Sequence, residues 1–109
     1  MKIEWKSASE SDRRILRSIF LLVGSEPRLL EFLFEREAPR IRQRAGVLRD
    51  EARAFGPADE LTVRVALDLW CGGGHVQVWE LLEGWDAENW TRFIRAVGEL
   101  KELPAGTIC

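Results

Sequence analysis

The chain of 109 residues has few of the side chains that build metal sites and covalent cross-links, with two cysteines and one histidine. Two cysteines cannot form a disulfide framework, and a domain of this size buries enough surface to fold without one. Protein zinc sites usually need three or four Cys or His ligands, and only Cys71, Cys109 and His75 are available. We therefore predict no metal site and no cofactor.

Long apolar runs are also missing. The longest, residues 19–23, is far shorter than the roughly 20 residues of a membrane-spanning helix. Residues 1–6 lack the apolar stretch of a signal peptide. Together with the low cysteine content, these absences lead us to expect a cytoplasmic protein with reduced thiols and no membrane partner.

Charge is nearly balanced overall but unevenly distributed. The chain has 16 basic and 18 acidic side chains, for a net charge of −2. Residues 1–55 contain 12 basic and 9 acidic side chains (+3), whereas residues 56–109 contain 4 basic and 9 acidic (−5). Such asymmetry is typical of a nucleic-acid-binding surface or of self-complementary subunits. The alternative, which we favour, is that the two halves neutralise each other within one fold.

Apolar spacing of three and four residues predicts helices over most of the chain. A first helix begins after the N-cap Ser9 and ends at Gly24. A long second helix covers residues 26–55 and is kinked at Pro39, because proline removes a backbone donor and clashes with the preceding turn. The last helix begins after the cap Asp86 and ends before Pro104.

Residues 61–70 fit two periodicities. Apolar residues alternate there as in a strand, which allows an α+β fold with a hairpin at residues 61–82. In a helix capped by Asp59 and running to Cys71, however, Glu60, Arg64 and Asp68 share one face and leave the others apolar. We favour that helix, as a buried central element.

A short helix over residues 75–83 follows, with Val78, Trp79 and Leu82 as its apolar side. The predicted fold is therefore a single all-α domain of about five helices spanning residues 1–109. Residues 1–8 form an extended arm and residues 104–109 a loose tail.

Residues 65–75 contain an apolar stretch with one acidic residue, and then three glycines at residues 72–74. This pattern resembles the first motif of Rossmann-like methyltransferases, in which a glycine loop lets the backbone approach S-adenosylmethionine. Trp70 stands where the first glycine of that motif belongs, and only about thirty-five residues follow, too few for the remaining strands and crossover helices of such a sheet. Gly72, Gly73 and Gly74 are better explained as a corner between two helices.

Cys71 and His75 are four residues apart beside Asp68, and they are a candidate nucleophile and base. Cysteine catalysis needs an oriented base and an oxyanion site, and neither is indicated by the sequence. We interpret Cys71 as a small buried residue and His75 as a polar residue at a helix start. A small enzyme centred on Asp68, Cys71 and His75 remains an alternative.

Arginines are concentrated in residues 36–53. Within the predicted helix 40–53, Arg42, Arg49 and Arg53 fall near one line, where they could follow a nucleic-acid backbone. Acidic residues are interleaved with them, and the pI of about 5.5 differs from that of basic nucleic-acid binders. We favour a solvated face with salt bridges, and a nucleic-acid-associated regulator is the alternative function.

Four tryptophans lie within twenty-one residues: Trp70, Trp79, Trp85 and Trp90. Large aromatic side chains anchor cores, and they are also enriched at interface hot spots. We predict that Trp79 or Trp85 contributes to a partner surface, with Trp70 as a further candidate. The alternative is an aromatic core cluster near the glycine corner.

These patterns favour a non-enzymatic protein–protein interaction or regulatory module. We expect it to self-associate, as a dimer or small homo-oligomer, through apolar and aromatic surface, or to bind another protein in the same way.

Overall fold

The computed structural model describes residue 6 and residues 8–24 and 27–101. This part of the chain contains six α-helices and no strand: α1 (Glu10–Val23), α2 (Pro27–Leu33), α3 (Ala45–Ala52), α4 (Pro57–Cys71), α5 (Val78–Gly84) and α6 (Ala87–Lys101). A 3₁₀ turn, Arg53–Phe55, follows α3. The predicted all-α fold is confirmed, and the alternative hairpin at residues 61–82 is wrong. Residues 104–109 and most of the predicted arm 1–8 lie outside the described residues.

Local capping signals set the ends of α1 and α6. The Ser9 hydroxyl accepts the backbone N–H of Asp12 at 3.0 Å, as an N-cap does. Gly24 follows the last residue of α1 with φ of +61°, a conformation that favours glycine. Asp86 accepts the backbone N–H of Asn89 at 2.9 Å at the start of α6. All three signals were predicted from the sequence.

Helices α1 and α6 pack against each other in antiparallel orientation. The buried Ser18 hydroxyl donates to the Ala96 carbonyl at 2.7 Å, and Arg17 lies 3.6 Å from the Glu99 carboxylate. The close approach of Gly24 to the Arg92 side chain continues the same antiparallel order. The first and last described helices thus form one face of the core.

The predicted long helix 26–55 with a kink at Pro39 is wrong. Helix α2 ends at Leu33, and residues 34–44 form a loop that contains an isolated antiparallel bridge between Phe34 and Ile41. The N–H of Arg42 donates to the Leu33 carbonyl at 2.9 Å, which closes the loop. Proline lacks the donor that a continuous helix requires, and the bridge supplies partners to the interrupted backbone.

Helix α4 lies at the centre of the molecule, as predicted. It contacts α1, α3 and α5, and most of its apolar residues are buried. It begins earlier than predicted: Gly56 precedes it and Pro57 occupies the first turn, where the fixed φ of proline suits a helix start. Asp59 therefore does not cap α4 but lies in its first turn, 2.6 Å from the Arg28 guanidinium.

Candidate functional site

The glycine corner, residues 72–77, connects α4 to α5. Gly72 ends α4 in the left-handed conformation (φ +74°), and Gly74 is buried against α4. A Cβ added at Gly74 would lie 1.7 Å from the Arg64 carbonyl oxygen, so only glycine fits there. Since a helix precedes the glycines, the corner joins two helices as predicted.

Asp68 binds the N–H groups of this corner. Its carboxylate accepts three backbone hydrogen bonds, from Gly74 at 2.8 Å, His75 at 3.2 Å and Val76 at 3.2 Å. A single side chain therefore supplies acceptors to three consecutive peptide groups that no helix partner satisfies.

Arg64 binds the carbonyls of the same corner. Its guanidinium donates to the Gly74 carbonyl at 3.1 Å and to the His75 carbonyl at 2.7 Å. It also forms two hydrogen bonds to the Glu80 carboxylate on α5, at 3.0 and 3.1 Å, and lies 3.6 Å from Glu60. The predicted pairing of Glu60 with Arg64 is present, whereas Asp68 binds the corner instead.

Glu80 ties the start of α5 to α4. Hydrogen bonds from Arg64, and then from the backbone N–H of Gln77, hold the pKa of the Glu80 carboxyl below its ordinary value. The Gln77 N–H donates to Glu80 at 2.9 Å, which completes a capping box. Glu80 is thus directed toward the body of the protein.

His75 has a strained backbone and a defined ring partner. Its φ is +54°, an unusual value for a residue other than glycine. Arg49 donates to the Gly73 carbonyl at 2.6 Å and lies 3.0 Å from Nδ1 of His75.

Asp68, Cys71 and His75, the residues of the enzyme alternative, meet at one corner, but each bonds to structural partners. Cys71 is exposed and not buried, and its thiol donates to the Leu67 carbonyl at 3.4 Å. Cys71 is the last residue of α4, and its side chain lies outside the core. The prediction of a buried residue, which rested on its apolar character, is therefore wrong. Among the residues that the structure describes, no three His, Cys, Asp or Glu side chains are grouped so as to hold a metal ion.

The three arginines of the nucleic-acid alternative do not lie on one helix. Arg42 lies in the 34–44 loop and donates to the Glu31 carbonyl at 3.0 Å, because the helix that would have aligned it is interrupted. Arg49 is bound to the glycine corner, and Arg53 follows α3 with its side chain 3.8 Å from Asp50. The single helix 40–53 that would align all three is therefore not formed, whereas Arg49 and Arg53 line the same small pocket.

Three of the four clustered tryptophans pack inside the protein. Trp85 is 6% exposed, and its ring centroid lies 6.1 Å from that of Trp90 and 5.7 Å from that of Phe93. Its indole N–H donates to the Ala58 carbonyl at 3.3 Å. Trp70 is partly buried with its ring centroid 5.2 Å from that of Phe34. The burial of Trp85 removes it from the candidate surface, because its ring fills the space between α4 and α6.

Trp79 differs from the other three. It is 56% exposed on α5, and its neighbours Val78 and Leu82 are each 67% exposed. These residues, which we call the α5 outer face, are the apolar side of the predicted helix, but that side points to solvent. The opposite side of α5 carries Leu81, which is buried, and Glu80, whose side chain is 24% exposed. Helix α5 thus exposes three apolar side chains while Glu80, beside the buried Leu81, is turned toward α4.

The α5 outer face lies in an acidic part of the chain. Residues 76–91 contain four acidic side chains and no basic one: Glu80, Glu83, Asp86 and Glu88. Glu83 is exposed, and its carboxylate forms no hydrogen bond or ion pair with the described part of the chain. The apolar face is therefore flanked by negative charge.

A surface groove lies on a different part of the molecule. It has a volume of about 670 Å³ and is formed by the end of α2 and the 34–44 loop. The side chains that line it include three arginines and three glutamates, so their charges balance. We call it the loop groove; it is lined by Glu31, Phe34, Glu35, Arg36, Glu37, Ala38, Arg40 and Arg42.

Sequence reasoning missed the orientation of the α5 outer face and the loop groove. For the orientation of the α5 outer face, Glu80 carries a signal. It lies on the side of the helix opposite Val78 and Leu82, and a carboxylate that is turned toward the protein needs a cation on a neighbouring element. No local signal indicates the groove, because it depends on how the loop closes through the Phe34–Ile41 bridge.

Comparison of the chain with protein-family models, curated protein sequences and solved structures finds no match. None of the helices in the described ranges has the length and apolar character needed to cross a membrane. The function is therefore inferred from the chemistry of the chain's own surface.

Proposed function

We propose that this protein is a self-associating interaction module whose contact surface is the α5 outer face. The observation that carries this proposal is the orientation of α5: Val78, Trp79 and Leu82 are exposed, while Glu80 is held inward by Arg64. A short helix anchored by a charge-assisted contact keeps three apolar side chains in fixed positions in water. Such an arrangement is costly for a monomer and favourable at an interface.

The size of the α5 outer face sets the expected strength of association. With roughly 200 Å² for each large apolar side chain, the three exposed fractions amount to about 400 Å² of apolar surface. Stable complexes bury about 800 Å² on each partner. The face supplies about half of that area, which supports a reversible, concentration-dependent assembly with an aromatic hot spot.

Sedimentation velocity over a concentration series up to about 1 mM tests this proposal. We expect the weight-average sedimentation coefficient of the wild type to rise with concentration. The double variant Trp79→Ala with Leu82→Ala should remain monomeric and folded, because both side chains are exposed.

A matched control removes two other exposed apolar side chains. Leu21 on α1 and Ile94 on α6 are 41% and 45% exposed. The double variant Leu21→Ala with Ile94→Ala should associate as the wild type does. A strictly monomeric wild type over the whole range would overturn the proposal, as would equal loss in both double variants.

A further inference from the structure

We propose that the chain binds a small phosphate-bearing ligand in a polar pocket between α3 and the glycine corner. The pocket has a volume of about 300 Å³, which is at the small end of the range for ligand sites. It shares no residue with the α5 outer face, so it is independent of the proposed self-association. We call it the arginine pocket; it is lined by Arg49, Asp50, Arg53, Glu60, Arg64 and His75.

Arg49 contributes a cation without a counter-charge. Its side chain is partly buried, and its guanidinium contacts the Gly73 carbonyl oxygen at 2.6 Å and Nδ1 of His75 at 3.0 Å. Neither partner is an anion, and no carboxylate in the described part of the chain forms an ion pair with Arg49. Charged side chains that are partly withdrawn from water are usually paired, so this position favours an anion from solution.

The two carboxylates of the arginine pocket are matched by the other two arginines. Glu60 lies 3.6 Å from Arg64, and Asp50 lies 3.8 Å from Arg53. Arg64 has a second carboxylate partner on α5, which does not line the pocket. Three arginines and two carboxylates leave one excess positive charge in the lining, and this excess corresponds to the unpaired guanidinium of Arg49.

Arg53 can complete an anion site with Arg49. It lies four residues after Arg49, in the 3₁₀ turn that follows α3. Its side chain is 76% exposed and its contact with Asp50 is long, so it can turn to a ligand at little cost.

The donors of the arginine pocket suit a phosphate group better than a carboxylate. A phosphate monoester carries a charge of about −1.5 to −2 near neutral pH and three acceptor oxygens. Two guanidinium groups and an imidazole from three positions of the chain supply donors to such a group. A carboxylate has one charge and two oxygens, so it gains less from the same donors.

The single histidine of the chain provides a direct measurement of binding. Because His75 lines the arginine pocket, the NMR signals of its ring C–H groups report on this site. Inorganic phosphate is titrated into the full chain near neutral pH, with NaCl adjusted to keep the ionic strength constant. We expect the ring signals to shift and to saturate at millimolar phosphate.

Variants at the two ends of α3 test the assignment. Arg53→Gln should weaken phosphate binding about fivefold, since it removes an exposed cation of the pocket. Arg44→Gln is the matched control, because Arg44 is exposed, forms no side-chain hydrogen bond or ion pair with the described residues and does not line the pocket. It removes the same charge and should bind phosphate as the wild type does. Arg49→Gln should abolish saturable binding, and circular dichroism checks that this variant is folded.

Two further ligands define the chemistry of the site. Tighter binding of glycerol phosphate than of inorganic phosphate assigns a phosphate monoester as the ligand, whereas equal or weaker binding assigns the free anion. Acetate that binds as tightly as phosphate overturns the choice of phosphate. Ring signals that do not saturate with phosphate, or equal weakening by Arg44→Gln and Arg53→Gln, overturn the arginine pocket as a binding site.

Discussion

Arg64 and Asp68, one turn apart on α4, bind opposite groups of the same loop. The guanidinium of Arg64 donates to the carbonyls of Gly74 and His75, and the carboxylate of Asp68 accepts the N–H groups of Gly74, His75 and Val76. The two side chains thereby satisfy a loop that has no ladder or helix to satisfy it. They also fix where α5 begins, and hence which side of α5 faces water.

Replacing Arg64 tests how much this contact contributes to stability. Its side chain is 15% exposed and makes several charge-assisted contacts at once. We expect Arg64→Met to lower the free energy of unfolding by about 2–4 kcal/mol, since Glu80 and two carbonyls lose their donor. Arg64→Lys should cost about 1–2 kcal/mol, because lysine keeps the charge but not the planar fork. Urea unfolding measures both, and equal stability of Arg64→Lys and wild type would contradict the role of the fork.

Two neighbouring glycines should differ sharply in their tolerance of alanine. Gly74→Ala places Cβ 1.7 Å from the Arg64 carbonyl oxygen and should cost about 3 kcal/mol or more, because the corner must move away from α4. A Cβ added at Gly72 meets no atom within 4 Å, so the φ of +74° is the only source of strain. We therefore expect Gly72→Ala to lower the free energy of unfolding by about 1 kcal/mol. Thermal unfolding of the two variants compares them directly. Similar losses of stability in both variants would contradict the conclusion that the Arg64 carbonyl leaves no room for a side chain at residue 74.

The lowered pKa of Glu80 makes its contribution to stability dependent on pH. A carboxyl whose folded pKa lies below its unfolded value stabilises the fold above the unfolded pKa, and this contribution is lost as the pH falls through the folded pKa. The stability difference between wild type and Glu80→Gln should therefore be constant near neutral pH and shrink below about pH 4. Urea unfolding at several pH values measures this difference. In an Arg64→Met background the same difference should be smaller near neutral pH, and an unchanged one would contradict the assigned cause.

Alanine variants of Trp79 and Trp85 should differ in their effect on stability, because one ring is exposed and the other is buried. Trp85→Ala removes a buried ring and the hydrogen bond to the Ala58 carbonyl, and should cost about 3–5 kcal/mol. Trp79→Ala changes an exposed side chain and should alter stability by less than about 1 kcal/mol. Calorimetry on dilute samples avoids any contribution from assembly. A large loss from Trp79→Ala under those conditions would place Trp79 in the core instead of at the surface.

The parts of the fold that were predicted from the sequence are those defined by local chemistry. Ser9 and Asp86 accept N–H groups three residues away, and Gly24 and Gly72 adopt conformations that glycine favours. Each of these signals operates within one turn of a helix, so neighbouring residues are enough to reveal it. The charged line on α4 was predictable for the same reason.

The errors occur where distant residues decide the structure. The break after α2 depends on the pairing of Phe34 with Ile41 and on the bond from Arg42 to Leu33, and proline alone did not distinguish a kink from a loop. Periodicity showed that Val78, Trp79 and Leu82 share one side of a helix. It did not show which way that side turns, because the contact of Glu80 with Arg64 spans 16 residues.

The candidate site was predicted in part. Aromatic density pointed to the segment that contains Trp79, but composition cannot separate a ring that fills the core from one that projects into water. Trp85 is held inside by a carbonyl from α4, 27 residues earlier, and this partner is visible only in three dimensions.

The packing of α1 on α6 has a consequence for how the chain is made. The Ser18 hydroxyl and the Ala96 carbonyl are 78 residues apart in sequence, so the apolar side of α1 is translated long before the helix that covers it. Long-range contacts of this kind slow folding, because a large loop must close before they form. Nascent chains that end before α6 will therefore expose α1, which makes α1 the expected binding site for chaperones during synthesis.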